Sequence, residues 1–297
     1  MGWAMTTGSG LSIGYRIARR LGWLPTPNPS APRLTSETQA RVIRTLALLA
    51  PHDTPGLGRR RIGGDGDGGY VLADCLTPDQ AVLSLGIGPD LSFDHELAEQ
   101  GHHIVMLDHT ITALPQTHPN FTWLHNGIGP AASDDGVMLP LDTLLDRLPA
   151  SQAAPILKMD VEGAEWDVLA SAAPATLRRF AQITLELHTL LALGEPGFNT
   201  TAHAALANLL HDFLPIHVHG NNFGILGQVG GLPCPETLEV TYLRHDLAQF
   251  APSTTWFPTP LDRPNFDELP DHLLWFFPFA PGSAALALAS RQASCEF

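Results

Sequence analysis

From residue 81 onward the chain alternates short apolar runs with segments of helical period, and this rhythm restricts the available folds more than any other feature. Apolar strands are expected at Ala81 to Leu85, His103 to Leu107, Phe121 to Leu124, Pro155 to Met159, Ile183 to Leu187, Ile216 to Val218 and Leu238 to Leu243. Helical patterns fall between them: through Phe93, Leu97 and Ala98, through Trp166, Val168 and Leu169, and over about Ala202 to Leu210. Strands alternating with helices imply a mainly parallel sheet covered on both faces. The last two strands are joined through the Gly-rich stretch 220–231 without a clear helix, which predicts an antiparallel hairpin at one edge. The expectation is a doubly wound, seven-stranded, Rossmann-like α/β domain over residues 61–250. An N-terminal helical extension over 1–60 precedes it. A C-terminal extension over 251–297 packs on the core or the substrate site.

The ends carry weaker signals. Met1 to Leu24 places Arg16, Arg19 and Arg20 inside its most apolar stretch, which does not read as a signal peptide. Residues 26–35 are proline-rich and read as a linker. Ser36 is placed to cap a helix through Val42, Ile43, Leu46 and Leu49. No run reaches the length of a membrane helix, and Ala284 to Ala289 reads as a short docking segment. Cys75, Cys234 and Cys295 show neither a disulfide framework nor metal-ligand spacing, so a cytoplasmic location is expected. With 16 Lys and Arg against 30 Asp and Glu, a formal charge of −14, the chain offers little positive surface to a phosphate backbone. Neither a nucleic-acid nor a membrane partner is expected.

Ligands of a doubly wound sheet sit beyond the carboxyl ends of the strands. There the first strand runs into Ser84-Leu85-Gly86-Ile87-Gly88-Pro89-Asp90. Gly86 and Gly88 let the backbone approach a ligand closely, and Asp108, 20 residues beyond Gly88, ends the second strand, where a carboxylate accepts ribose hydroxyls. Strand, turn, helix, strand and terminal acid in this order favour a nucleoside cofactor. The third glycine of a nicotinamide fingerprint falls on Leu91, which disfavours a dehydrogenase. Asn126 and Gly127 at the third tip are candidate adenine contacts, although an ordinary Asn-Gly turn explains them equally well. Asp90, and Asp65 and Tyr70 in the turn-rich stretch 61–72, complete the candidate cofactor set. Asp65 and Asp67 also read simply as turn residues.

Three segments carry a resemblance: Gly64-Asp65-Gly66-Asp67-Gly68-Gly69-Tyr70-Val71, Ser84 to Asp94, and Lys158-Met159-Asp160-Val161-Glu162-Gly163-Ala164-Glu165-Trp166. With Leu185 to His188, His219 to Asn222 and Leu238 to Tyr242, they resemble the FkbM-type methyltransferases, in the branch that includes the methyltransferase-like 24 proteins. The resemblance runs over about residues 61–245. It implies a class I methyltransferase fold, S-adenosylmethionine as donor, and commonly O-methylation of a small molecule or sugar. Ser84 and Asp90 depart from the general class I pattern, which has an acid two positions before the first glycine and a glycine where Asp90 stands.

Methyl transfer to a hydroxyl or protonated amine needs a positioned acceptor and a group to take its proton. Asp160 and Glu162, Glu186 and His188, and His217 and His219 stand at three neighbouring strand tips. His188 or His219 is the candidate general base, with Asp160 beside them. The same tips offer a candidate divalent-metal site in Asp160, Glu186, His188 and His219. Strand alternation puts Glu186 and His188 on one face, and His217 and His219 likewise. Each histidine has a structural role as its alternative, Asp160 an alternative contact to the cofactor's amino group, and Glu162 and Glu165 a favourable place at a helix N-terminus. Trp256, Phe257, Trp275, Phe276, Phe277 and Phe279 fit core packing or a homo-oligomer interface better than a pocket roof. The acceptor is expected to be a small molecule. A peptide-derived precursor, or a non-catalytic nucleoside-binding scaffold, is the alternative.

Overall fold

The computed structural model describes residues 36–78 and 80–283. Contacts divide the chain into Met1–Arg33 and Leu34–Phe297, and the description concerns the second unit. Met1 to Leu24, the linker over 26–35, Ala284 to Ala289 and Cys295 lie outside the described residues.

Seven strands form the central sheet: β1 Ala81–Leu85, β2 His103–Leu107, β3 Phe121–Leu124, β4 Ile156–Met159, β5 Gln182–Leu187, β6 Phe213–Gly220 and β7 Leu238–Arg244. Their order is β6-β7-β5-β4-β1-β2-β3. β7 runs antiparallel to both neighbours, while the pairs among β5, β4, β1, β2 and β3 are parallel. The order reverses between β1 and β4, so the tips of those strands form the crevice in which such sheets hold ligands. The antiparallel pair expected from the sequence is present, but β7 is inserted between β5 and β6, so of the two only β6 is an edge strand. The Gly-rich stretch folds into a small hairpin of its own, Leu226–Val229 with Leu232–Pro235, turned by Gly230 and Gly231 at φ 59° and 79°.

Alternation along each strand sorts the two faces. Leu83, Leu85, Val105, Leu107, Leu157, Met159, Ile183 and Leu185 point to one side and build the larger core. Helices α1 Ser36–Leu46, α3 Leu141–Leu145, α4 Glu165–Ser171, α5 Pro174–Leu177 and α6 Pro196–Leu209 cover it, and α2 Ser92–Glu99 lies on the other side. Of the helical stripe read from the sequence, Val42, Leu46 and Leu49 are fully buried there and Ile43 is half-buried. On the opposite face Val82, Ile104, Met106 and Ile156 pack against α2 and an antiparallel hairpin, Arg59–Ile62 with Tyr70–Ala73.

Side chains pin that hairpin to the sheet. The Gln182 amide brackets the Ala73 peptide, accepting from its N–H at 2.8 Å and donating to its carbonyl at 3.1 Å, and the Thr241 hydroxyl donates to the Val71 carbonyl at 2.6 Å. Both donors and acceptors are buried, so each unmade bond would carry a desolvation cost. The hairpin's turn rests against the start of α2, where the Gly64 amide donates to the Ser92 hydroxyl at 2.8 Å and that hydroxyl donates to the Gly68 carbonyl at 3.0 Å, and its Asp67 reaches Asn221, just past β6.

Residues 253–283 cross the β6 side of the sheet. Phe257, Leu274 and Phe279 are buried in the larger core, whereas Trp256 and Trp275 meet edge to face at 5.7 Å on the surface. His217 and His219 on β6 hold this segment through Asp262 at 2.7 Å and Asp271 at 3.0 Å. Among the described residues no helix is long and apolar enough to cross a membrane.

Candidate active site at the strand tips

The β1 turn opens the crevice. Gly86 has φ 70°, and a Cβ placed on it would lie 1.6 Å from the Asp160 carbonyl oxygen, so the two strand tips touch through a position only glycine can occupy. Lys158, almost fully buried, donates to the Gly86 carbonyl and pairs with Asp160 Oδ2 at 3.4 Å. Tyr70, from the hairpin, donates to the same carboxylate oxygen at 3.3 Å. Asp160 is thus fixed from two sides.

A cavity of about 340 Å³ lies beyond these tips. Gly86, Gly88, Asp108, Gly127 and Asp160, all singled out in the sequence, line it, together with His109, Thr110, Ile128, Met138, Val161 and Glu162. Asp108 is nearly buried, and burial alone would raise its pKa. Hydrogen bonds from the Thr110 hydroxyl and amide, at 2.6 and 2.8 Å, and from the Gly88 and Ile87 amides outweigh that and hold the carboxyl below its usual range. An ionised acid therefore faces the cavity. Asn126 turns its amide into the neighbouring loop, donating to the Gly136 and Val137 carbonyls at 3.0 and 3.2 Å. Asp90 accepts from the Ser92 amide and lines a different depression beside Gly63 and Gly64, and exposed Asp65 pairs with Arg263 at 3.3 Å. Of the residues that sequence reasoning missed, His109 and Thr110 sit one and two residues beyond Asp108, where a look past the strand end would have found them, whereas Ile128 and Met138 belong to a separate short pairing of Gly127–Ile128 with Met138–Leu139.

The turn between β4 and α4 is folded around one side chain. Glu165 is fully buried and accepts from the Val161 amide through Oε1 and the Gly163 amide through Oε2, both at 2.8 Å. Its Oε1 also meets His188 Nδ1 at 3.1 Å, and Trp166 donates its indole N–H to the His188 carbonyl at 2.8 Å. Glu165 and Trp166 hold the histidine at the next strand tip from two directions. With Nδ1 turned to a carboxylate, the ring presents Nε2 outward. That nitrogen lies 3.5 Å from Glu162 Oε2, 3.7 Å from Glu186 Oε1 and 3.9 Å from Asp160 Oδ1.

The crowding of acids falls on Glu186. Burial, then the neighbouring Asp160 and Glu239 carboxylates, push the Glu186 carboxyl well above its usual range. For His188 burial acts downward, but the hydrogen bond and charge of Glu165, with Glu186 and Asp160, win and raise it. Asp160, Glu165 and His188 each bring a ligand atom within 4.8 Å of the others. Glu165 is the poorest donor of the three, because its oxygens already serve two amides and the imidazole. Glu186, 3.7 Å from His188 Nε2, is buried and accepts from Asn221 at 2.6 Å.

His219 does not join His188. It is 1 % exposed, with Nδ1 on Glu239 at 3.0 Å and Nε2 on Asp271 at 3.0 Å, so both nitrogens are taken and neither faces the cavity. The two histidines are connected only through intermediaries. Asn221 donates to Glu186 at 2.6 Å and Asp67 at 3.4 Å, and Asn265 donates to Asp67 at 3.0 Å and Glu239 at 2.6 Å.

Comparison with known proteins adds one domain match. Residues 75–214 match the model of the methyltransferase FkbM domain. No curated protein matches the chain. Among solved structures, a fibrillarin/Nop5p complex aligns with a TM-score of 0.35 and 12 % identity, covering 57 % of this chain and 74 % of that one. The 1,6-didemethyltoxoflavin-N1-methyltransferase of Burkholderia thailandensis, bound to its 1,6-didemethyltoxoflavin and S-adenosylhomocysteine, aligns with a TM-score of 0.28 and 12 % identity over 82 % of this chain and 93 % of that one.

Proposed function

We propose that this chain, whose residues 75–214 match the methyltransferase FkbM domain, uses S-adenosylmethionine to methylate a hydroxyl oxygen of a small molecule or of a sugar-containing natural product. The observation that carries the proposal is the orientation of His188. Its Nδ1 side is tied to Glu165, and its Nε2 meets Asp160 and Glu162, two residues that also line the 340 Å³ cavity. A proton acceptor and a cofactor-sized cavity therefore share a wall.

The residues present fit the cofactor. The glycine at position 86 keeps the cavity floor free of a side chain, ionised Asp108 suits ribose hydroxyls, and Ile128 with Met138 offers an apolar wall to a base. When bound, S-adenosylmethionine supplies a methyl group made electrophilic by its sulfonium. Neutral His188 takes the acceptor's proton at Nε2, and Glu165 stabilises the resulting imidazolium at Nδ1. Asp108→Asn should weaken S-adenosylmethionine binding by about tenfold or more, the worth of a hydrogen bond to a charged group. Titration calorimetry checks this, and unchanged affinity would remove Asp108 from the cofactor site.

A divalent cation is the second reading, and the crowding of carboxylates around His188 Nε2 favours it. Asp160, Glu186 and His188 would hold the ion, which would lower the pKa of an acceptor hydroxyl and orient it. His219 is not available to such a site, since both its nitrogens are engaged. Turnover after exhaustive chelation separates the readings. A loss of at least about tenfold, restored by Mg²⁺ or Mn²⁺, supports the ion. Unchanged turnover leaves His188 as the base without it.

A further inference from the structure

Glu162 occupies a backbone conformation that its own side chain opposes. Its φ of 55° lies in the left-handed region, where Cβ crowds the following carbonyl, and Gly163 follows at φ 106°. Glycine at 162 would hold the same turn without that crowding. For folding the glutamate offers a single ion pair. Its side chain is 87 % exposed, and its one charged neighbour of opposite sign within 4.0 Å among the described residues is His188, at 3.5 Å. The same imidazole nitrogen already has Asp160 Oδ1 and Glu186 Oε1 within 3.9 Å, so it does not depend on Glu162 for a carboxylate neighbour. Strain on an exposed residue that shares its single ion pair with two other acids, and that lines the ligand cavity, points to a ligand.

We infer that Glu162 binds the acceptor, and that the acceptor carries a second hydrogen-bond donor beside the oxygen to be methylated, as the vicinal diol of a sugar ring does. The inference rests on the proposed O-methyl transfer at His188. A carboxylate accepts hydrogen bonds and donates none. With one hydroxyl on His188 Nε2, the oxygen of Glu162, 3.5 Å from that nitrogen, stands where the hydroxyl on the adjoining carbon arrives. An acceptor with a lone hydroxyl leaves Glu162 unused. A diol uses both.

The test compares wild type with Glu162→Gly, which relieves the backbone, and Glu162→Gln, which keeps the strain and shape but removes the charge. Turnover is read as S-adenosylhomocysteine release with a panel of methyl hexopyranosides and their monodeoxy analogues, with phenol and n-butanol as single-hydroxyl controls. Cofactor affinity is read by calorimetry and stability by thermal melting. Wild type should prefer glycosides with an intact diol. Both variants should lose about 10–100-fold in kcat/KM for the glycosides, chiefly through the acceptor KM, a larger loss than any in S-adenosylmethionine affinity. Glu162→Gly should melt at the wild-type temperature or a few degrees above it. Full kcat/KM in Glu162→Gly, a fall in its Tm, equal use of the single-hydroxyl controls, or a wild type that binds the cofactor yet uses no glycoside would each overturn the inference. Failure of wild type to bind S-adenosylmethionine would instead sink the cofactor reading beneath it.

Discussion

Gly86→Ala should all but abolish S-adenosylmethionine binding and destabilise the fold, whereas Gly88→Ala, two residues along the same turn, should do neither to the same degree. The new Cβ at 86 would fall 1.6 Å from the Asp160 carbonyl oxygen, while one at 88 meets nothing within 4 Å. Retreat is blocked on both sides. The Gly86 amide is bonded to the Leu107 carbonyl and the Asp160 amide to the Leu85 carbonyl, each at 3.0 Å, and Lys158 holds the Gly86 carbonyl. Overpacking at such a point costs about 3 kcal/mol, which for a domain of this size lowers Tm by roughly 6–12 °C. A shift of about 1 Å in a positioning element costs on the order of 100-fold, so affinity should drop by that much or more. Gly88 has φ 54°, and alanine there carries only the left-handed penalty, about 1–2 kcal/mol. Calorimetry and melting curves on the two variants decide the matter. Equal damage would mean that close approach to Asp160 is not what the first glycine provides.

That contrast also shows where the sequence was readable. The turn at Gly86, the acid at 108 and the shared face of Glu186 and His188 follow from strand periodicity, because side chains two apart in a strand must point the same way. The seven strands and their two-sided covering follow from the same alternation. What periodicity does not contain is sequence-distant pairing. His219 looked like a partner of His188 because both stand near strand tips, yet Asp271, 52 residues away in an irregular segment, occupies its second nitrogen. Asn126 stood at the right strand end, but its amide satisfies two loop carbonyls that no pattern announced. Glu165 was legible as an acid at a helix start. Its larger part, closing the turn and orienting His188, depends on a side chain folding back over three residues of backbone. The place of β7 between β5 and β6 was likewise silent, since an apolar run specifies burial and not neighbours.

His188→Ala should reduce turnover by about 10²–10⁴-fold, the usual contribution of a general base, and leave S-adenosylmethionine affinity nearly unchanged, because His188 adjoins the cavity without lining it. The pH dependence gives the sharper test. His188 is raised from 6.5 to about 9: burial acts downward, and Glu165, Glu186 and Asp160 prevail. A base must be neutral to act, so turnover of the metal-free enzyme should climb with pH through about 9. Stability should move the other way. The folded state binds a proton at His188 that the unfolded chain has already released above 6.5, so this stabilisation is complete below 6.5 and is lost as pH rises through about 9. Glu186, raised from 4.5 to about 9 by burial and by Asp160 and Glu239, acts in the same sense over a wider window, its ionisation working against the fold between those values. Rising kcat with falling Tm between pH 7 and 9 is therefore the expected signature, and His188→Ala should remove the climb in rate. A divalent ion on Asp160, Glu186 and His188 would compete with those protons and carry the climb to lower pH. A flat rate profile over this range in chelated wild-type enzyme, with His188→Ala as active as wild type, would rule out His188 as the group that takes the acceptor's proton.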